Sequence, residues 1–287
     1  MSMKKTNVLA LMVLFLCAAC STDMPTEEVG EKSLTLQVVN YQQYGLDERR
    51  AEGASALDNL ALAVFDEATG QEIIAMQQQK KGDKEYGIFH LSLPFGTYQV
   101  AVLGYQSNRL CTSLTSTEAT FAEDYVPQTF LANEKLTVDA NTESLQPILL
   151  HRTVAAFTIH VTDVTPTNVE TMEFTGTGGG ITLNPRTGFA SALTERKNSI
   201  TVASGNKGKV DVSFTTYVFL PQEEATMTWN VEALSSTGKV LRQHTFRDVP
   251  MKINSRTLYE GKFFTDEIYD HQIQVDMEWN DTIRISL

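Results

Sequence analysis

Hydrophobicity in this chain repeats every second residue and seldom every 3.6, and that period decides what the chain can fold into. Leu34, Leu36 and Val38 alternate with Thr35 and Gln37; Leu60, Leu62 and Val64 with Ala61 and Ala63; Tyr98, Val100 and Val102 with Gln99 and Ala101. Further alternating or apolar runs occur at 88–93, 154–161, 210–220, 227–233 and 240–246, with Gly, Pro, Asn and Asp between them. Successive strand side chains point to opposite faces, so such runs make strands, and no long window carries the apolar stripe of a helix. The expected class is all-β, with strands spaced as in sandwiches. A break near His151-Arg152, where one β run ends and Val154-Ala155-Ala156-Phe157 opens another, divides the chain into an N-terminal sandwich over 33–150 and a C-terminal one over 151–287. After Cys111, the cluster Thr112, Ser113, Thr115, Ser116 and Thr117 surrounds a single Leu114, as in a surface loop.

The N-terminus carries different information. Lys4 and Lys5 precede an unbroken apolar run from Val8 to Leu16, followed by Cys17-Ala18-Ala19-Cys20 and the polar Ser21-Thr22-Asp23. The run is short of the ~20 residues a spanning helix needs, and small residues close it, so 1–19 is expected to be a secretory signal. A Cys directly after Ala18-Ala19 resembles a bacterial lipobox. Cys20 would then be lipidated and become the mature N-terminus, with 20–32 as a polar tether; ordinary cleavage would leave it a spectator. Acyl chains contribute about 0.8 kcal/mol per buried CH₂, which anchors a protein to a membrane without any helix crossing it. Loss of 1–19 removes two lysines and no acid, leaving 268 residues and moving the net charge from −12 to −14. So acidic a chain is a poor match for nucleic acid or anionic headgroups, both of which need clustered Lys and Arg. Only Cys20 and Cys111 would remain, and an acylated Cys20 leaves no disulfide to form. Stability must come from hydrophobic cores, for which the chain is long enough.

Residues that carry chemistry are sparse. His90, His151, His160, His244 and His271 stand singly, without the spacing that collects a metal. Gly176-Thr177-Gly178-Gly179-Gly180 invites comparison with phosphate loops, but those need a following helix, and Ile181-Thr182-Leu183 with Asn184-Pro185 reads as strand and turn. There is no Gly-x-Ser-x-Gly elbow, and Glu27-Glu28 and Glu223-Glu224 read as solvated charge. No catalytic, cofactor-binding or metal residue is assigned, and the expected role is non-enzymatic.

Two features bear on association instead. At the C-terminus Ile273, Val275, Met277 and Trp279 alternate with Gln274, Asp276 and Glu278; after Asn280-Asp281-Thr282, Ile283, Ile285 and Leu287 alternate with Arg284 and Ser286. An amphipathic strand pair of this kind can fold back on its own sandwich or complete the sheet of a neighbour. The second feature is Arg49-Arg50, within the polar segment 45–53 between two strand runs, which is either a solvated dibasic pair or a site of proteolysis.

Several longer elements together resemble the fimbrillin superfamily of type V pili, most closely its fimbrial subunits related to the minor-fimbria anchor protein. They are Leu57-Asp58-Asn59-Leu60-Ala61-Leu62-Ala63-Val64-Phe65-Asp66 with Thr69-Gly70, Leu93-Pro94-Phe95-Gly96-Thr97-Tyr98-Gln99-Val100, Leu149-Leu150-His151-Arg152-Thr153-Val154-Ala155, Met251-Lys252-Ile253-Asn254-Ser255-Arg256-Thr257 with Tyr259-Glu260-Gly261, and Val275-Asp276-Met277-Glu278-Trp279. The resemblance implies two transthyretin-like β-sandwiches, attachment at the outer membrane and cell surface, other fimbrial subunits as partners, and polymerisation by strand exchange in support of adhesion. It implies that the strand 34–39 is removed after a cut at Arg49 or Arg50, and that Ile273, Val275, Met277, Trp279, Ile283, Ile285 and Leu287 form the donor for a neighbour's groove. An anchor subunit would keep both its first strand and its lipid, and shaft, tip and anchor roles all stay open. The alternative from another class is a glycan-binding surface lipoprotein displaying Trp229 or Trp279, although both lie in alternating strand sequence that favours burial.

Overall fold

The computed structural model describes residues 30–42, 57–265, 275–276 and 282–286. Its first half runs β1 (Glu31–Gln42), β2 (Asn59–Asp66), β3 (Glu72–Lys80), β4 (Ile88–Pro94), β5 (Gly96–Gln106), β6 (Cys111–Leu114), β7 (Ala119–Phe121), β8 (Gln128–Val138) and β9 (Leu145–Arg152). Seven of these form one sheet in the order β3-β2-β5-β8-β9-β1-β4. Its middle is weak, because β8 and β9 pair only at Phe130↔Arg152 and Leu131↔His151. The sheet folds over at that point, and the inward rows of both parts meet in one core: Leu34, Leu36 and Val38 of β1, Phe89, Leu91 and Leu93 of β4, Leu60, Leu62 and Val64 of β2, and Val100 and Val102 of β5.

The second half runs β10 (Ala155–Val161), β11 (Thr171–Thr177), β12 (Leu183–Asn184), β13 (Phe189–Ala190), β14 (Arg196–Thr201), β15 (Val212–Val218), β16 (Glu224–Leu234), β17 (Val240–Lys252), β18 (Arg256–Gly261), β19 (Val275–Asp276) and β20 (Thr282–Ser286). A five-stranded sheet, β15-β10-β18-β20-β19, faces a four-stranded one, β14-β11-β16-β17. Phe157, Phe174, Trp229, Phe246 and Tyr259 fill the space between them. Trp229 lies flat on Phe157, with centroids 5.0 Å apart. Gly176 makes that possible: a Cβ there would come within 2.6 Å of the Trp229 ring. The first glycine of the tract is thus a strand residue under an indole, while Gly178, with φ +103°, opens the turn.

A third cluster belongs to both halves. The outer faces of β2 and β5 present Ala61, Ala63, Phe65, Ala101, Leu103 and Tyr105, and a small sheet of order β13-β12-β7-β6 covers them, two strands drawn from each half. Phe121 stacks near Phe219 with centroids 6.4 Å apart, and Tyr105 meets Phe121 edge-on at 5.1 Å. The threonine- and serine-rich stretch after Cys111, expected as a surface loop, is therefore in part a strand. Cys111 and Leu114 of β6 point into this cluster, while Thr112 stays outside and bonds Thr120 across the ladder. Polar residues on the outward positions of a short covering strand mimic loop composition.

Candidate functional site: the first strand and the C-terminal strand pair

β1 begins at Glu31 and ends at Gln42, longer at both ends than the run 34–39 visible in the sequence. Antiparallel pairing to β4 spans Glu31↔Pro94 to Gln37↔Ile88, and parallel pairing to β9 spans Thr35↔Leu145 to Gln42↔His151, with an irregularity between Val38 and Asn40. Leu34, Leu36 and Val38 are 2%, 1% and 6% exposed, so the alternate row is fully used by the core. Outward-facing groups tie the strand down lightly: Lys32 Nζ donates to the Ala140 carbonyl at 3.1 Å, and Thr35 Oγ1 meets His90 Nδ1 at 3.1 Å.

The neighbour β4 depends on β1. Among the described residues β4 pairs with β1 alone. Beyond that ladder, Gln79 holds its start, donating from Nε2 to the Ile88 carbonyl at 2.6 Å and accepting from the Gly87 N–H at 2.8 Å. If β1 were withdrawn, Phe89, Leu91 and Leu93 would line a slot one strand wide, with unpaired main-chain groups of β4 on one wall and of β9 on the other. Such a slot selects an extended segment with apolar residues at every second position.

At the other end of the chain, β20 lies parallel to β18, from Arg256↔Thr282 to Glu260↔Ser286, and β19 pairs antiparallel to β20 through Val275↔Ile283 and Asp276↔Thr282. The pair therefore extends the sheet of its own sandwich, with β19 at the edge. Val275 lies in β19 and Ile283 and Ile285 in β20; Ile273, Met277, Trp279 and Leu287 lie outside the described residues, as do Cys20, Arg49, Arg50 and His271. The approach to this pair is pinned by Asp163, 8% exposed, whose carboxylate accepts the N–H groups of Phe263, Phe264 and Thr265 at 2.9, 2.9 and 2.8 Å. No spacing motif marks Asp163, because its partners lie far along the chain.

The remaining sequence candidates disperse. His160 and His244 bond Ser213 and the Phe263 carbonyl, and no group of three or more His, Cys, Asp or Glu that could hold a metal exists among the described residues. Trp229 is wholly buried and offers no platform for a sugar. Cys111 is a buried free thiol, and burial pushes its pKa up to about 12.

These features define a class: an all-β protein of two sandwiches joined through a shared third cluster, with an embedded first strand and a terminal strand pair at a sheet edge. The chain belongs to the DUF6562 family, a family of unknown function, whose model matches residues 112–286. No curated protein matches it. Similar solved structures include a candidate adhesin from Bacteroides ovatus, 13% identical over 75% of this chain and 82% of that one, with a TM-score of 0.48. The fimbrial anchor protein Mfa2 from Porphyromonas gingivalis is 10% identical over 75% of this chain and 82% of its own, with a TM-score of 0.41. The tip fimbrial protein Mfa3 from the same organism, with a C-terminal truncation, is 12% identical over 82% and 97%, with a TM-score of 0.38.

Proposed function

We propose that this protein is a non-enzymatic subunit or anchor of a surface fimbria, lipidated at Cys20 and held at the outer membrane through it until a cut after Arg49 or Arg50 removes both lipid and first strand, or throughout if it is the anchor, and joined to neighbouring subunits by strand exchange in support of adhesion. The observation that carries the reading is the position of β1: it is the strand on which β4 depends, and it fills the core through Leu34, Leu36 and Val38. The segment that follows it contains Arg49-Arg50. Cleavage there would free β1 to leave, and each of its three apolar side chains takes about 1.5–3 kcal/mol of burial with it. A donor must restore that burial. Ile273, Val275, Met277 and Trp279 repeat at the same two-residue interval as the row they would replace, so one face of the donor can fill the slot while its backbone pairs with both walls. To serve a neighbour, the terminal pair must leave β18, which exposes a sheet edge and keeps exchange unfavourable until an open slot is available.

Treatment of the full chain with an arginine-specific protease tests this. Cleavage after Arg49 or Arg50 should be followed by ladders of SDS-resistant multimers, and an Arg49→Ala/Arg50→Ala variant should remain monomeric. Removal of 273–287 should leave a folded monomer that forms no ladder. Cleaved wild-type protein that stays monomeric, or truncated protein that still multimerises, sinks the exchange mechanism. Release of Cys20→Ala protein from membranes tests the anchor separately.

A further inference from the structure

A small polar cavity of about 180 Å³ opens where the turn between β12 and β13 crosses the end of the first sandwich, lined by Glu67, Gln99, Asn133, Lys135 and Arg186. It lies at the polar end of the outer row that continues, through Ala101 and Leu103, into the shared cluster. Arg186 reaches over from the second half, donating from Nε to Gln99 Oε1 at 2.7 Å and from Nη2 to the Glu67 carbonyl at 3.0 Å; its Nη2 also stands 3.6 Å from Glu67 Oε2. Asn133 Nδ2 donates to the Arg186 carbonyl at 2.9 Å. These bonds fix the orientation of the Gln99 amide, because its oxygen is the atom facing the guanidinium. The consequence falls on its nitrogen. Gln99 is 2% exposed, and its Nε2 has no hydrogen-bond partner among the described residues. That nitrogen has no surface open to the cavity, so Gln99 serves the site through its oxygen, which holds the Arg186 guanidinium in place.

We infer that this cavity binds a single acidic sugar residue, a carboxylate-bearing ring such as a uronate, with the carboxylate between Lys135 and Arg186 and ring hydroxyls toward Glu67. Size comes first: the volume is below the several hundred Å³ of sites for larger ligands and suits one ring. Charge comes next. Two cations against one carboxylate leave the lining positive on a chain whose net charge is −12, so an anion is favoured there as it is not over most of the surface. Lys135, which lines the cavity, is exposed. Glu67 distinguishes a hydroxylated anion from a bare one, since its carboxylate accepts hydroxyl protons and repels a second naked charge. Among the described residues no aromatic ring lines the cavity, so a neutral pyranose lacks the stacking surface that would hold it. The site is independent of β1 and of the terminal strand pair, and so stands or falls apart from strand exchange.

Calorimetric titration of the full chain with glucuronate, glucose and acetate tests the assignment. Glucuronate should bind in the millimolar range, with glucose and acetate at least about tenfold weaker, the difference that goes with one lost charge-assisted hydrogen bond. Lys135→Ala should weaken glucuronate by a similar factor with unchanged melting temperature, and Lys135→Arg should restore it. Gln99→Leu should abolish binding, whatever it does to stability. Absence of glucuronate binding, equal affinity for acetate, or affinity indifferent to both Lys135→Ala and Gln99→Leu overturns the proposal.

Discussion

Tyr86, Tyr98, Tyr105, Tyr217 and Tyr259 are held neutral by the fold, because burial disfavours the phenolate at each and raises its pKa, to about 12 for Tyr105 and Tyr259. An unfolded tyrosine ionises near 10, so above that pH the unfolded chain binds fewer protons than the native one and stability falls as pH rises. Stability from these groups is complete below about pH 10 and is lost through the folded-state values. Ultraviolet absorbance during alkaline titration should show part of the tyrosine population ionising only together with loss of the fold; free titration of all nine in folded protein contradicts this. Gly176 gives a second residue-scale prediction. Valine there must displace the Trp229 ring, and overpacking of this kind costs about 1–3 kcal/mol, read as a lower denaturant midpoint with an unchanged slope. The sequence showed a five-residue glycine-rich tract and suggested a turn, which holds for Gly178. It could not show that Gly176 serves an indole on another strand, because that requirement arises from a long-range strand pairing, Gly176↔Trp229.

At the scale of elements, legibility followed the use made of each strand face. β1 and β4, buried on one face, alternate cleanly and were readable from period alone. In β2 seven consecutive residues are buried, with Leu60, Leu62 and Val64 in one core and Ala61, Ala63 and Phe65 in another. Its near-continuous apolar sequence was the available sign of a strand covered on both sides, and alternation by residue size concealed it. β3 has no legible period because it is a sheet edge rich in glutamine, with Ile73 41% exposed. Asp163 governs the last element boundary. Its three N–H acceptances fix the chain at Phe263–Thr265, just ahead of the terminal strand pair, and bonds to a charged acceptor are worth about 1.5–3 kcal/mol each. Asp163→Ala should destabilise the fold by about 3 kcal/mol or more and should raise hydrogen exchange at Phe263–Thr265 before it does so in β16. Uniform exchange across both segments would show that the carboxylate does not act as a local clasp.

The whole molecule is held together by what the two sandwiches share. Phe219 and Leu183 from the second half sit in one apolar cluster with Phe65, Leu103 and Phe121 from the first, and main-chain bonds between Gly180 and Phe219, at 2.9 and 3.2 Å, hold Phe219 in place. Arg196 adds a polar tie. It is fully buried and donates to the Tyr217 carbonyl at 2.9 Å in its own half and to the Asp124 carbonyl at 3.1 Å in the other. Burial pulls its guanidinium down to about 10, below the usual arginine range but still far above neutrality, so the charge persists and must keep both carbonyls. Neither half can open without exposing apolar surface of the other or stranding that charge. The two sandwiches should therefore unfold as one unit, giving a single calorimetric transition whose calorimetric and van't Hoff enthalpies agree. Phe219→Ala removes a large side chain from the shared cluster, at a cost of about 3–5 kcal/mol, and should lower that single transition by about 10 °C. Both sandwiches should respond, although Phe219 comes from only one of them. Two resolved transitions in the unaltered protein, or a Phe219→Ala variant in which only the C-terminal sandwich melts early, would show that the third cluster is a contact between independent domains rather than the joint that makes them one.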